Sequence, residues 1–228
     1  MFDPKALLEQ FLGGGTNPDG SKKPVSPDLM KGLAGGAIAG GLAGLLLGGK
    51  SKDSVCHPME FSSTAALAGL AYKVYTEWQA SKQEPAADVP AQPMKDVTPP
   101  PVFLPQGGKA RDDMSLAVLR AMIAAAKADG HIDAAEQQKI FGKLDEMELG
   151  VEDKAFVMDE LKKPLDIDAV VAAATSPELA VEIYAASVLA IDPDDPAEQA
   201  YLAMLASRLK LDPDLRASIE TEAAKAMA

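Results

Sequence analysis

The stretch DDMSLAVLRAMIAAAKADGHIDAAEQQKIFGKLDEM, residues 112–147, decides the fold class. Leu116, Leu119, Met122, Ile123 and Ala126 recur at helical spacing in its first half, and Ile140, Leu144 and Met147 mark a second apolar face after the Asp129-Gly130 turn. The pattern continues through Phe156, Val157 and Leu161, through Leu179, Ile183, Ser187 and Ile191, and through Leu202, Leu205 and Leu209. Ser176-Pro177, Asp195-Pro196 and Asp212-Pro213 each set an N-cap residue before a proline at the first helical position, where a missing N–H costs nothing. Asp133 with Glu136, and Asp195 with Glu198, have the spacing of capping boxes. Residues 109–228 therefore read as an all-α bundle of about seven helices.

Composition agrees. Of 228 residues 47% are hydrophobic but only 5% aromatic, so the apolar content is mostly alanine and leucine, which favours helices and makes an all-β fold improbable. One cysteine excludes an internal disulfide framework. The formal charge of -12 argues against nucleic acid as a partner, because that affinity comes mostly from Lys and Arg displacing counterions. The acidity is not evenly spread: residues 1–108 carry a net of -1 and residues 109–228 a net of -11.

Upstream of the bundle the chain divides by composition. Residues 1–12, MFDPKALLEQFL, place Phe2, Leu7, Leu8, Phe11 and Leu12 near helical spacing, a short amphipathic helix that needs a membrane or a partner surface to be stable. Residues 13–31 are turn formers and read as a flexible spacer. Residues 32–49, GLAGGAIAGGLAGLLLGG, form an uncharged run between Lys31 and Lys50, long enough to span a bilayer if the flanking lysines snorkel. Eight glycines would defeat a helix in water, whereas lipid forces backbone hydrogen bonding. Gly32, Gly36, Gly40, Gly44 and Gly48 recur every four residues, a small-residue stripe suited to helix association, hence to a homo-oligomer. The alternative is a glycine-rich loop, since Gly35, Gly41 and Gly49 fall off the stripe.

Residues 50–83 hold a loop and a second apolar stretch, Phe61 to Tyr75, interrupted by Lys73 and too short to span unaided. It reads as a membrane-associated helix, either the return arm of a hairpin packed on the first segment or lying at the interface, with Tyr72, Tyr75 and Trp78 at headgroup depth, so that the chain is single-pass or a hairpin. Cys56 and His57 in the loop are two adjacent groups where zinc needs three or four, so no role is assigned to them. Residues 84–108 contain seven prolines and read as a semi-rigid extended linker.

The bundle carries an internal echo. The segment from Ala135 superposes without gaps on that from Ala197, pairing Glu136 with Glu198, Ile140 with Leu202 and Met147 with Leu209, as in a duplicated helical hairpin. An acidic turn precedes each copy. Asp129-Gly130-His131-Ile132-Asp133 with Glu136 reproduces the second half of an EF-hand loop, but Ala125 and Lys127 stand where its first carboxylates belong, so a true EF-hand is rejected. Two packed copies would bring Asp129, Asp133 and Glu136 towards Asp192, Asp194 and Glu198, an all-oxygen set suited to Ca²⁺, Mg²⁺ or Mn²⁺. Helix capping and dipole complementation account for Asp133, Glu136, Asp195 and Glu198 without any ion, and both readings stay open. No nucleophile elbow, P-loop or H-E-x-x-H is present, which points away from an enzyme.

Taken together, MFDPKALLEQFLGGG, the glycine run, AGLAYKVYTEW at residues 68–78 and LRAMIAAAKADGHIDAAEQQKIFGKL at residues 119–144 resemble the YebE-type bacterial inner-membrane proteins of the TerB-like (tellurite-resistance) superfamily. The resemblance covers nearly the whole chain and is most specific at AAAKADGHIDAAE; the loop SKDSVCHPMEF departs from it. It implies an all-helical TerB-like domain, a place in the inner membrane, and metal-binding acids at Asp129, Asp133 and Glu136, with Asp192 and Glu198 in the second half. The expectation is a membrane-anchored, non-enzymatic module that binds a divalent cation or a protein partner in an envelope- or metal-stress response. The alternative is a self-associating interaction scaffold with no metal site; a carboxylate-dependent enzyme is the weakest reading.

Overall fold

A computed structural model describes residues 2–12, 64–82, 99–105, 107–128, 150–191 and 195–227. Among these residues there are eight helices and no strand: α1 (Pro4–Phe11), α2 (Thr64–Lys82), α3 (Gly108–Ala125), α4 (Val151–Lys162), α5 (Ile167–Ala173), α6 (Pro177–Leu189), α7 (Pro196–Arg208) and α8 (Pro213–Met227). The all-α expectation holds for what is described. The glycine stripe, Gly32 to Gly48, and the first copy of the echo from Ala135 to Leu149 lie outside the described residues. Among the described helices none is long and apolar enough to cross a membrane.

The three Pro-marked starts form as the sequence dictates. Ser176 Oγ accepts from the Leu179 amide at 3.2 Å, Asp195 Oδ1 from the Ala197 and Glu198 amides at 2.7 and 3.1 Å, and Asp212 Oδ1 from the Asp214 amide at 2.9 Å. At the other end of α7, Lys210 N–H donates to the Ser207 carbonyl and Leu211 N–H to the Ala206 carbonyl, a Schellman closure. Its left-handed position is filled by Lys210 at φ 56° where glycine would be unstrained. α4 ends differently. Lys127, buried just beyond α3, donates through Nζ to the carbonyls of Glu160 and Lys163, capping the last turn of α4 from a neighbouring element. Burial pulls the Lys127 pKa below the ordinary lysine value.

α6 is the centre of the packing. It lies against α3, α2, α8 and α7, and its buried residues surround the helix, Val181, Ile183, Ala185 and Val188 among them. α3 is likewise buried on more than the one expected face: Met114, Val118, Ala121 and Ala125 join Leu119, Met122, Ile123 and Ala126 in the core, because α1, α4 and α5 cover it as well as α6.

Three upstream elements pack on the bundle. The helix over residues 64–82, expected against a membrane, is a core helix of the bundle. Leu67, Leu70, Ala71 and Val74 are buried against α6 and α8, and Lys73, which reads as an interruption, forms a 2.7 Å ion pair with Glu222 of α8. The amphipathic helix α1 also docks on protein: Leu7 and Leu8 are fully buried, Asp3 caps the Ala6 amide at 3.0 Å, and Phe2 packs on Phe156 of α4 with ring centroids 4.7 Å apart. Burying two leucines is worth about 1.5–3 kcal/mol each, which is what lets an eight-residue helix persist. The end of the proline-rich stretch is a docked turn and not an extended spacer. Phe103 and Leu104 donate to the Pro100 carbonyl at 2.9 and 3.0 Å, and Phe103, 2% exposed, packs edge-on against Tyr72 and Tyr75. These elements share one hydrophobic cluster with described residues between Ala117 and Ala223.

Candidate functional site

Three places in the bundle carry chemistry. The first is the acidic turn at the start of α7. Asp195 caps the helix, and Glu198 sits in its first turn at 7% exposure. A glutamate held this deep at a helix start departs from the usual solvated first-turn acid. Of the other residues read as ion ligands, Asp129, Asp133, Glu136, Asp192 and Asp194 lie outside the described residues, so their convergence with Glu198 stays a sequence expectation. Among the described residues, no three His, Cys, Asp or Glu side chains group closely enough to hold a metal.

The second is Glu182, in the middle of α6. It is 1% exposed, its Oε1 has no hydrogen-bond partner among the described residues, and burial pushes its pKa up to about 8. Arg111 of α3 pulls the other way and Glu178, one turn earlier on α6, adds to the rise. Arg111 is itself engaged, donating from a terminal nitrogen to the Pro105 carbonyl at 3.2 Å. Glu182 is thus a carboxyl that the fold keeps protonated near neutral pH. Sequence reasoning missed it; the one available signal is an acid flanked on both sides by apolar residues, Ala180-Val181 and Ile183-Tyr184. Two residues further along, Tyr184 donates to Glu220 of α8 at 2.6 Å, and Arg216 donates to the same oxygen at 2.8 Å.

The third is an open groove of about 760 Å³ between the end of α2, the start of α6 and the turn joining α7 to α8. Tyr75 and Trp78 form its aromatic wall, with centroids 5.8 Å apart, and Val181 and Leu215 belong to its apolar lining. Arg208 and Lys210 line it as cations, Asp212 as an acid. Two of these charges are matched: Arg208 pairs with Asp168 of α5, and Lys82 bridges Asp212 and Asp214 at 3.2 and 3.1 Å. The Asp212 carboxyl is held below the usual carboxylate range, chiefly by the backbone amide of Asp214 and further by Lys82. The sequence reading sets Tyr75 and Trp78 at a membrane surface; the fold puts them beside this groove.

These features define a class, an all-helical bundle that, among the described residues, holds a buried protonated acid in α6, a buried acid at the start of α7 and an open amphipathic groove. A family model described as "Protein of unknown function (DUF533)" matches residues 32–223, and the chain belongs to that family. It is also similar to a protein of Yersinia enterocolitica described as an uncharacterized protein in the ampR 5' region, with 31% identity over 105 residues that cover 46% of this chain and 76% of the relative. No solved structure matches.

Proposed function

We propose that this chain is a non-enzymatic TerB-like module of the YebE type, attached to a bacterial inner membrane through residues 32–49, whose acidic turns hold a divalent cation that orders a docking surface for a protein partner in envelope or metal stress. The observation that supports it is Glu198: the last acid of the I-D-P-D-D-P-A-E turn is 7% exposed at a helix start, where a first-turn acid is ordinarily solvated. The set that would complete the shell is Asp129, Asp133 and Glu136 with Asp192, Asp194 and Glu198.

The test is thermal unfolding of the full chain with Ca²⁺, Mg²⁺ or Mn²⁺, on the wild type and on the Asp129→Asn/Glu136→Gln double variant. At a hundred times the dissociation constant a native-state ligand adds about 2.7 kcal/mol, several degrees in a bundle of this size. A shift in the wild type that the variant lacks supports the cation site; no shift with any ion removes it. The scaffold reading, in which no ion binds, draws on the Asp195 cap, which already explains one acid of the turn without a metal. Recovery of the full chain in the soluble fraction without detergent would end the membrane part.

A further inference from the structure

The groove between α2, α6 and the α7–α8 turn carries an inference independent of the cation site. Its distinguishing residue is Lys210. A side chain at φ 56° in the closing position of a helix is strained where glycine is not, and such strain persists where it serves something. Complementing the negative end of α7 does not require it, because Arg208 stands in the last turn in ordinary helical conformation and meets that need. Nor does an ion pair: Asp212, the acid of the groove, is engaged by Lys82, and Asp168 by Arg208. Lys210 is exposed and lines the groove that the aromatic wall of Tyr75 and Trp78 bounds. Two aromatic side chains and a cation that no described acid neutralises line one groove, and together they are complementary to one kind of molecule, an aromatic body bearing a single negative charge.

We infer that this groove binds a small aromatic carboxylate, its ring against Tyr75 and Trp78 and its carboxylate on the Lys210 ammonium. The groove's volume is within the range of small-molecule sites, and its mixture of apolar lining with few charges matches their usual make-up. Trp78 is the chain's single tryptophan, so the chain's tryptophan emission comes from the groove's wall.

The experiment titrates the full chain with phenylbutyrate while following Trp78 emission, with phenylbutanol and phenylpropyl-trimethylammonium as neutral and cationic counterparts, on the wild type, Lys210→Gly and Lys210→Arg. The expected result is saturable binding of phenylbutyrate that exceeds both counterparts, falls about five- to tenfold in Lys210→Gly, as for loss of one charge-assisted contact, and returns in Lys210→Arg. Lys210→Gly should at the same time melt at a higher temperature, because glycine relieves the left-handed strain. That opposition of stability and binding separates a ligand contact from a folding defect. Equal binding of phenylbutanol, undiminished binding by Lys210→Gly, or an emission change that never saturates would each overturn the assignment.

Discussion

Glu182 makes the bundle's stability depend on pH in a calculable direction. Its folded pKa is raised, mainly by burial, so the folded state holds the proton more tightly than the unfolded chain does. Stability is full below the ordinary carboxyl range, falls by about 1.4 kcal/mol per pH unit as pH rises towards about 8, and levels off above it. Urea denaturation from pH 5 to pH 9 should show that slope in the wild type and lose it in Glu182→Gln, which keeps the shape and removes the charge; equal slopes would assign the effect elsewhere. A smaller effect is expected at Tyr184, where Tyr184→Phe should cost about 1 kcal/mol by removing the hydrogen bond to Glu220. At this scale the sequence was half legible. Ser176, Asp195 and Asp212 cap as read because a cap is decided within four residues. Glu182 was hidden because its burial comes from α3, α2, α8 and α7 covering α6, and no local pattern states that.

At the scale of elements, the apolar face of residues 64–82 was legible and its destination was not. Alternating leucine and alanine satisfy lipid and protein equally, so hydropathy cannot separate a membrane-surface helix from a core helix. What decides in favour of protein is Lys73, whose 2.7 Å pair with Glu222 ties α2 to α8. Burial would raise the Glu222 pKa, but hydrogen bonds from Lys225 and Lys73 outweigh it and hold it below the usual value. Leu70→Ala in α2 should therefore destabilise the bundle by about 2–5 kcal/mol in chemical denaturation, the cost of a core cavity; a surface or lipid-facing helix would lose little. The α1 helix gives the same kind of answer: deleting residues 2–12 removes two buried leucines and should cost about 3–6 kcal/mol.

At the scale of the molecule, compositional borders do not coincide with the packed unit. The change to sustained helical periodicity near residue 112 is where the sequence draws the start of a domain, but the hydrophobic cluster includes Leu7, Leu8, Leu67, Leu70 and Phe103. A fragment of residues 109–228 should consequently bind a hydrophobic dye and unfold with a broad transition, whereas the full chain unfolds sharply; a fragment as cooperative as the full chain would show that α1, α2 and the Phe103 turn are accessories. The five acids of the ion site outside the described residues leave that site where the sequence placed it.

The docking of both α1 and α2 on one bundle has a topological consequence. The stretch that joins them, residues 13–63, leaves a single folded body and comes back to it, so its two ends share one side of any bilayer. Should residues 32–49 enter lipid, they enter and leave through the same leaflet, or they cross once and the rest of residues 13–63 crosses back. A lone crossing with the two ends on opposite faces would pull α1 or α2 out of the core. Tags on the first and last residues of the chain should accordingly be digested together, or spared together, when protease is added to sealed vesicles.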